Sequence, residues 1–256
     1  MNVHRDLVYA PGRMEMNSVD VYASTSGEKH PVVIFVHGGK YSAGDKRTSV
    51  YRKPIAFTSK GLVFVSIDYR LSPKVRYPAH VQDVAKSIAW VRKNINRYGG
   101  NPNRLYLMGH SAGAQLVALV ATDGRFLAAE GLKLTCLSGV VLLDGGTYDL
   151  ISTARFSEKH DMLFAAFGRD SHIWWQASPL NNVSKGKGIP PFLILYRSGR
   201  LDGWAQAQAF SNALRNAGVR TVLKPFNKTH AALNEQIGGT KDTPTKDVLE
   251  FVSNDQ

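Results

Sequence analysis

Arg104-Leu105-Tyr106-Leu107-Met108-Gly109-His110-Ser111-Ala112-Gly113-Ala114-Gln115-Leu116-Val117-Ala118-Leu119 decides the fold. The apolar run at 105–108 reads as a buried strand, and the Ala- and Leu-rich run at 114–121 as a helix. Between them, Gly109-His110-Ser111-Ala112-Gly113 is a G-x-S-x-G turn. A strand that turns this abruptly into a helix needs small residues on both sides of the serine. The strain lifts the hydroxyl above the sheet, which is the geometry of a nucleophile elbow.

Outward from the elbow, strands and helices alternate. Residues 31–37 form a continuous β-branched run, as in the middle of a parallel sheet buried on both faces. Residues 62–68, 137–144, 191–196 and 220–224 are further strands. Residues 7–10 and 19–23 read as an antiparallel hairpin at one edge. Val81, Val84, Ile88, Val91 and Ile95 recur every three or four residues, marking one face of a helix over 79–96. Helices are also expected over 48–60, closed by Gly61, over 206–217, closed by Gly218, and over 247–252. The pattern predicts an α/β fold: an eight-stranded, mostly parallel sheet with helices on both faces. All 256 residues are expected to form one domain. Residues 145–190, with Tyr148, Trp174 and Trp175 among scattered aromatics, read as a short, irregular, lid-like insertion over the active site.

Ligands of such sheets bind beyond the carboxyl ends of the strands. Ser111 lies there, and so do His37-Gly38-Gly39, Asp68, Asp144, Asp202 and His230. A serine hydroxyl needs a base to take its proton, and that base needs a carboxylate to fix its tautomer. Of eight histidines, His230 follows the last strand, in an apparent loop, and is the expected base. Asp202, after the 191–196 strand, is the preferred acid. Asp144, ending the previous strand, is the alternative, with Asp149 and Asp161 behind it. Asp68 reads as a structural ion pair or hydrogen bond near Arg70. Negative charge on a tetrahedral intermediate needs fixed N–H donors. Ala112 follows the nucleophile, and the glycines at 38 and 39 let backbone approach a substrate closely.

The net charge is +12, with a pI near 9.8. Its cations are dispersed, and Lys46-Arg47 and Lys185-Gly186-Lys187 are not interleaved with aromatics as a nucleic-acid platform would be. No run of eighteen apolar residues predicts a membrane span. The first residues lack a signal peptide's apolar core, and the lone Cys136 excludes an internal disulfide, so a cytoplasmic location is expected. No H-E-x-x-H spacing, phosphate loop or dinucleotide fingerprint is present, and no metal or cofactor is expected.

Four segments together resemble α/β-hydrolase-fold carboxylesterases of the hormone-sensitive-lipase-like branch, near the small bacterial esterases related to feruloyl esterases and kynurenine formamidases. They are His37-Gly-Gly-Lys-Tyr-Ser-Ala-Gly-Asp-Lys46, Val65-Ser-Ile-Asp-Tyr-Arg-Leu-Ser-Pro73 with Tyr77-Pro-Ala79, the elbow, and Asp202 with His230. The resemblance implies Ser111 as nucleophile, Asp202 as acid, His230 as base, and Gly38, Gly39 and Ala112 as oxyanion donors. Two positions depart from the family: Lys40 replaces a third glycine, and Gly203-Trp204 replaces a valine-proline type continuation after the acid. The implied activity is hydrolysis of small, short-chain, aryl or acetyl esters. An aryl-formamidase with the same machinery is the alternative, and a non-catalytic scaffold the reading of a different class. Lys40, Tyr41, His110, Tyr148, Trp174 and Trp175 are candidate substrate contacts.

Overall fold

The computed structural model describes residues 1–11, 16–24, 29–156 and 160–253, apart from the Phe156 side chain. Its strands are β1 (Asn2–Val8), β2 (Ser18–Ala23), β3 (His30–Val36), β4 (Val63–Ile67), β5 (Gly100–His110), β6 (Leu137–Leu143), β7 (Phe192–Arg197) and β8 (Thr221–Phe226). They form one eight-stranded sheet in the order β1-β2-β4-β3-β5-β6-β7-β8. β1 and β2, and β2 and β4, pair antiparallel, and every other neighbouring pair is parallel. The edge hairpin forms, but β1 runs from Asn2 to Val8 rather than over 7–10, with Asn2 opposite Ala23. Residues 12–15 of its turn lie outside the described residues.

Helices follow the strands: α1 (Lys53–Thr58), α2 (Ala79–Asn94), α3 (Ala112–Thr122), α4 (Gly124–Ala128), α5 (Leu150–Phe156), α6 (His160–Phe167), α7 (Ser171–Gln176), α8 (Leu201–Asn216), α9 (His230–Gln236) and α10 (Thr243–Ser253). The central strands are apolar at successive positions because both faces are covered. Val32, Ile34 and Val36 of β3, with Leu105 and Leu107 of β5, pack with α2, α3 and α8 on one face. Val33 and Phe35, with Tyr106 and Met108, pack with α1 and α10 on the other. Four of the five apolar positions of the stripe lie in α2 and the fifth, Ile95, just past its end; all are fully buried, so the 3.6-residue period is spent on one core face.

Two expectations are corrected. α8 begins at Leu201, not at 206, so Asp202 sits in its first turn. The segment after β8 is a helix rather than a loop: Thr229 caps α9 by accepting the Ala232 N–H at 3.1 Å, and His230 is its first residue. Residues 145–190 contain α5, α6 and α7, three short helices that leave no common period to read in the sequence. Residues 157–159 of that segment lie outside the described residues.

Candidate active site

Ser111 stands between β5 and α3 with φ 55° and ψ −118°, a strained conformation for a residue with a side chain. Its N–H still belongs to the sheet, donating to Leu143 O at 3.0 Å. The flanking glycines have steric causes that can be named. A Cβ on Gly109 would lie 2.3 Å from Gly113 O, and one on Gly113 would lie 2.2 Å from Val36 O. The obstacles are backbone atoms of the elbow itself and of β3, so they cannot swing aside.

The serine hydroxyl meets His230, whose Nε2 lies 2.9 Å from Ser111 Oγ. The Nδ1 of the same ring lies 2.6 Å from Asp144 Oδ2. A carboxylate accepts only, so the proton of a neutral ring sits on Nδ1, and Nε2 is left to accept from the serine. Asp144 follows β6 with φ 47°. Its N–H donates to Leu195 O, and its Oδ1 accepts the Arg197 N–H at 3.0 Å. Burial alone would push its carboxyl up. The hydrogen bonds from His230 and from the Arg197 backbone outweigh that and hold it below the ordinary carboxylate value.

In this geometry Asp144, not Asp202, stands against His230. Both ring nitrogens of His230 are taken, by Asp144 and by Ser111. Asp202 instead accepts a bidentate pair of hydrogen bonds from Arg200, both 2.7 Å long. Its side chain is 45% exposed, against 1% for Asp144. The sequence offers one signal for this: an arginine two positions before Asp202 that competes for its carboxylate. Asp149 is occupied as well, accepting the Ile151 and Ser152 N–H groups at the start of α5. Asp161 stays at the site, as a residue lining its cavity.

Gly38 lies directly against the elbow. A Cβ there would sit 3.0 Å from both His110 O and Ser111 Cβ. Gly39 has φ +115°, and its carbonyl accepts from Ser42 N and Ala43 N at 3.0 Å, folding the loop back on itself. Ala112 is the first residue of α3, so its N–H is one of the first-turn donors without a partner in its own helix. The loop is pinned at its far end. The Lys46 ammonium meets the Asp68 carboxylate at 2.6 Å, and Lys46 N–H donates to the other carboxylate oxygen at 2.7 Å. The expected structural ion pair of Asp68 therefore forms with Lys46, while Arg70 pairs with Asp83.

A cavity of about 630 Å³ opens at Ser111. Lys40 and Tyr41, both with positive φ, line it on one side, and Gly146, Thr147, Met162 and Ala165 on another. Four of the other candidate contacts lie elsewhere. Tyr148 is buried and stacks on Phe210, with ring centroids 4.8 Å apart. Trp174 stacks on Phe164 and donates its indole N–H to Gly168 O, and Trp175 is half exposed on α7. His110 packs its ring 4.6 Å from that of His230, and its Nε2 lies 3.0 Å from His230 O. Burial, with the His230 charge, pushes His110 down to about 3, so it is neutral and its Nε2–H donates to that carbonyl. It holds the backbone of His230. Lys53 of α1 braces α9 from the core side, donating from its buried ammonium to Asn234 O at 2.6 Å.

Sheet order, elbow and strand-end site together define an α/β-hydrolase fold. The BD-FAE family model matches residues 19–214. The chain belongs to that family. It is 34% identical over 231 residues to Esterase LipQ of Mycobacterium tuberculosis, covering 85% of this chain and 54% of that protein. It is 28% identical to the isoprenylcysteine alpha-carbonyl methylesterase ICME of Arabidopsis thaliana, covering 98% of this chain and 62% of that protein. The chain thus spans about half to two thirds of the length of these curated relatives. Among solved structures, a truncated carbohydrate esterase from gut microbiota superposes with a TM-score of 0.83 at 20% identity, covering 100% of this chain and 96% of that one. An esterase of Pyrobaculum calidifontis superposes with a TM-score of 0.76 at 22% identity, covering 92% and 80%. Likeness at that identity speaks for the fold alone. Among the described residues, no helix is long and apolar enough to cross a membrane.

Proposed function

We propose that this chain is a serine carboxylesterase acting on small or short-chain esters, with Ser111 as nucleophile, His230 as base and Asp144 as the supporting acid. The observation that carries the reading is the hydrogen-bond chain from Ser111 Oγ through the His230 ring to Asp144. Ser111 Oγ attacks the ester carbonyl carbon while His230 Nε2 takes its proton. The N–H groups of Gly38, Gly39 and Ala112 receive the negative oxygen. His230 returns the proton to the departing alcohol, leaving an acyl group on Ser111. Water, deprotonated by His230, then releases the carboxylic acid and restores the serine. Asp144 stays ionised throughout and stabilises the imidazolium.

The size of the cavity and its mixed lining of Tyr41, Met162 and Ala165 beside Lys40 and Arg200 favour compact substrates, including acetyl and aryl esters. Residues 145–190 supply one wall of that cavity, which supports reading them as a cover on a single catalytic domain. The esterase names of the relatives favour an ester over a formamide. The test compares p-nitrophenyl acetate with N-formylkynurenine, using wild type and Ser111→Ala. Wild type should turn over the acetate faster, and the variant neither. Preference for the formamide would overturn the substrate class, and an active variant would overturn the site.

A further inference from the structure

A second cavity, of about 450 Å³, lies beside the first. Tyr148, Leu180, Leu201, Ala205 and Ala209 contribute to its walls. Gly146 lines both cavities, Arg200 lines the first and Asp202 lines the second. The partition therefore runs through the Arg200–Asp202 ion pair, with both bonds at 2.7 Å. The guanidinium carbon and both terminal nitrogens lie 3.6–3.9 Å from where a Cβ on Gly146 would stand. The wall is thus the Arg200 guanidinium laid against a bare glycine backbone and held from behind by Asp202.

Several polar groups lining the second cavity are engaged, while the buried Tyr148 hydroxyl has no hydrogen-bond partner among the described residues. Gln206 Oε1 accepts from Asp149 N, and its Nε2 donates to Asp149 O. The Asp149 carboxylate accepts the N–H groups of Ile151 and Ser152, and Asp202 holds Arg200. What these walls offer an incoming group is mainly hydrocarbon from leucine and alanine. Such a space suits an uncharged, apolar arm and disfavours a charged one, which would be desolvated without a partner.

We propose that Arg200, held by Asp202, is the specificity-determining wall of the Ser111 site: it limits the length of ester accommodated there, and the cavity behind it accepts the apolar end of longer esters once the wall is removed. This rests on the esterase reading of Ser111.

The test measures kcat/KM for p-nitrophenyl acetate and octanoate, which vary the acyl arm, and for methyl and hexyl acetate, which vary the alcohol arm. In Arg200→Ala the long-to-short ratio should rise about tenfold or more in one series, the discrimination that a few methylenes provide in an apolar pocket. Asp202→Ala, on an exposed helix turn, should raise it less by releasing the arginine, and gives the same reading should Arg200→Ala not fold. Adding Ala205→Phe to Arg200→Ala refills the second cavity and should return the ratio toward wild type. An unchanged ratio in both series with acetate still hydrolysed would overturn the proposal, as would a rise that Ala205→Phe leaves in place. A wild type inactive on all four esters would overturn the esterase reading, and this proposal with it.

Discussion

Asp144 and His230, 86 positions apart in the chain, meet at 2.6 Å, and the other oxygen of Asp144 is held by the Arg197 N–H of the neighbouring strand. The Asp144 carboxylate is therefore clamped between β7 and α9. Asp144→Asn should lower kcat for p-nitrophenyl acetate by about 10³–10⁴, the loss expected when a histidine base adopts the wrong tautomer. Asp202→Asn should stay within a few-fold of wild type for the same short ester. Steady-state kinetics of both variants check this, and a reversed order would return the acid to Asp202.

Ser111→Ala should lower ester hydrolysis by at least about 10⁴ while leaving the thermal midpoint within about 2 °C. The Ser111 hydroxyl bonds to a half-exposed histidine, so its removal leaves no buried donor stranded. A midpoint drop of 10 °C would mean that the hydroxyl holds the fold as well as the chemistry.

His110→Phe keeps a ring beside His230 but removes the hydrogen bond to its carbonyl. We expect kcat to fall about tenfold with KM little changed, because the base is displaced and the cavity is not. A change confined to KM would instead place His110 in substrate contact.

Stability should fall as the pH drops from about 6.5 toward 4. His110 is held near 3, well below an unfolded histidine, so the unfolded chain binds a proton first. Each such histidine contributes a slope of at most about 1.4 kcal/mol per pH unit. His80, pushed down to about 4 by burial, acts in the same direction. Asp144, with its carboxyl held low, adds stability above the unfolded carboxylate value and loses it as the pH falls through its own. Denaturant titrations from pH 7 to 4 should show a shallower decline in His110→Phe than in wild type. Parallel declines would mean that His110 is not buried as a neutral ring.

Gly113→Ala should destabilise the protein by about 1–3 kcal/mol or more, since the new methyl group meets β3 backbone at 2.2 Å. Chemical denaturation measures it. Gly124→Ala, also in a helix and without a positive φ, where a Cβ would meet only Leu134 side-chain atoms at 3.7 and 3.9 Å, controls for the backbone effect of replacing a helical glycine.

Much of this was legible in the sequence for a local reason. A strand buried on both faces must be apolar at every position, so β3 to β7 stand out as short hydrophobic runs. The α2 stripe and the elbow glycines are short-range patterns too. The aromatic candidates are hard to place from sequence because packing onto a core and lining a pocket use the same residue types: Tyr148 rests on Phe210, and Trp174 on Phe164. α9 was hidden because its cap, Thr229, is ordinary in a loop as well.

By itself, the sequence determined that a serine would be raised at the end of a central strand and singled out a late histidine as its neighbour, since chain order and local pattern carry that information. Which of two carboxylates meets His230 belonged to the tertiary structure. Asp144 and Asp202 follow adjacent strands and look alike along the chain. Asp144 sits at φ 47°, and its carboxylate turns inward onto the Arg197 N–H and the His230 ring. Asp202 begins a helix and is captured by Arg200. Those differences are set by where a side chain points and what reaches it across 86 positions, which no local pattern encodes.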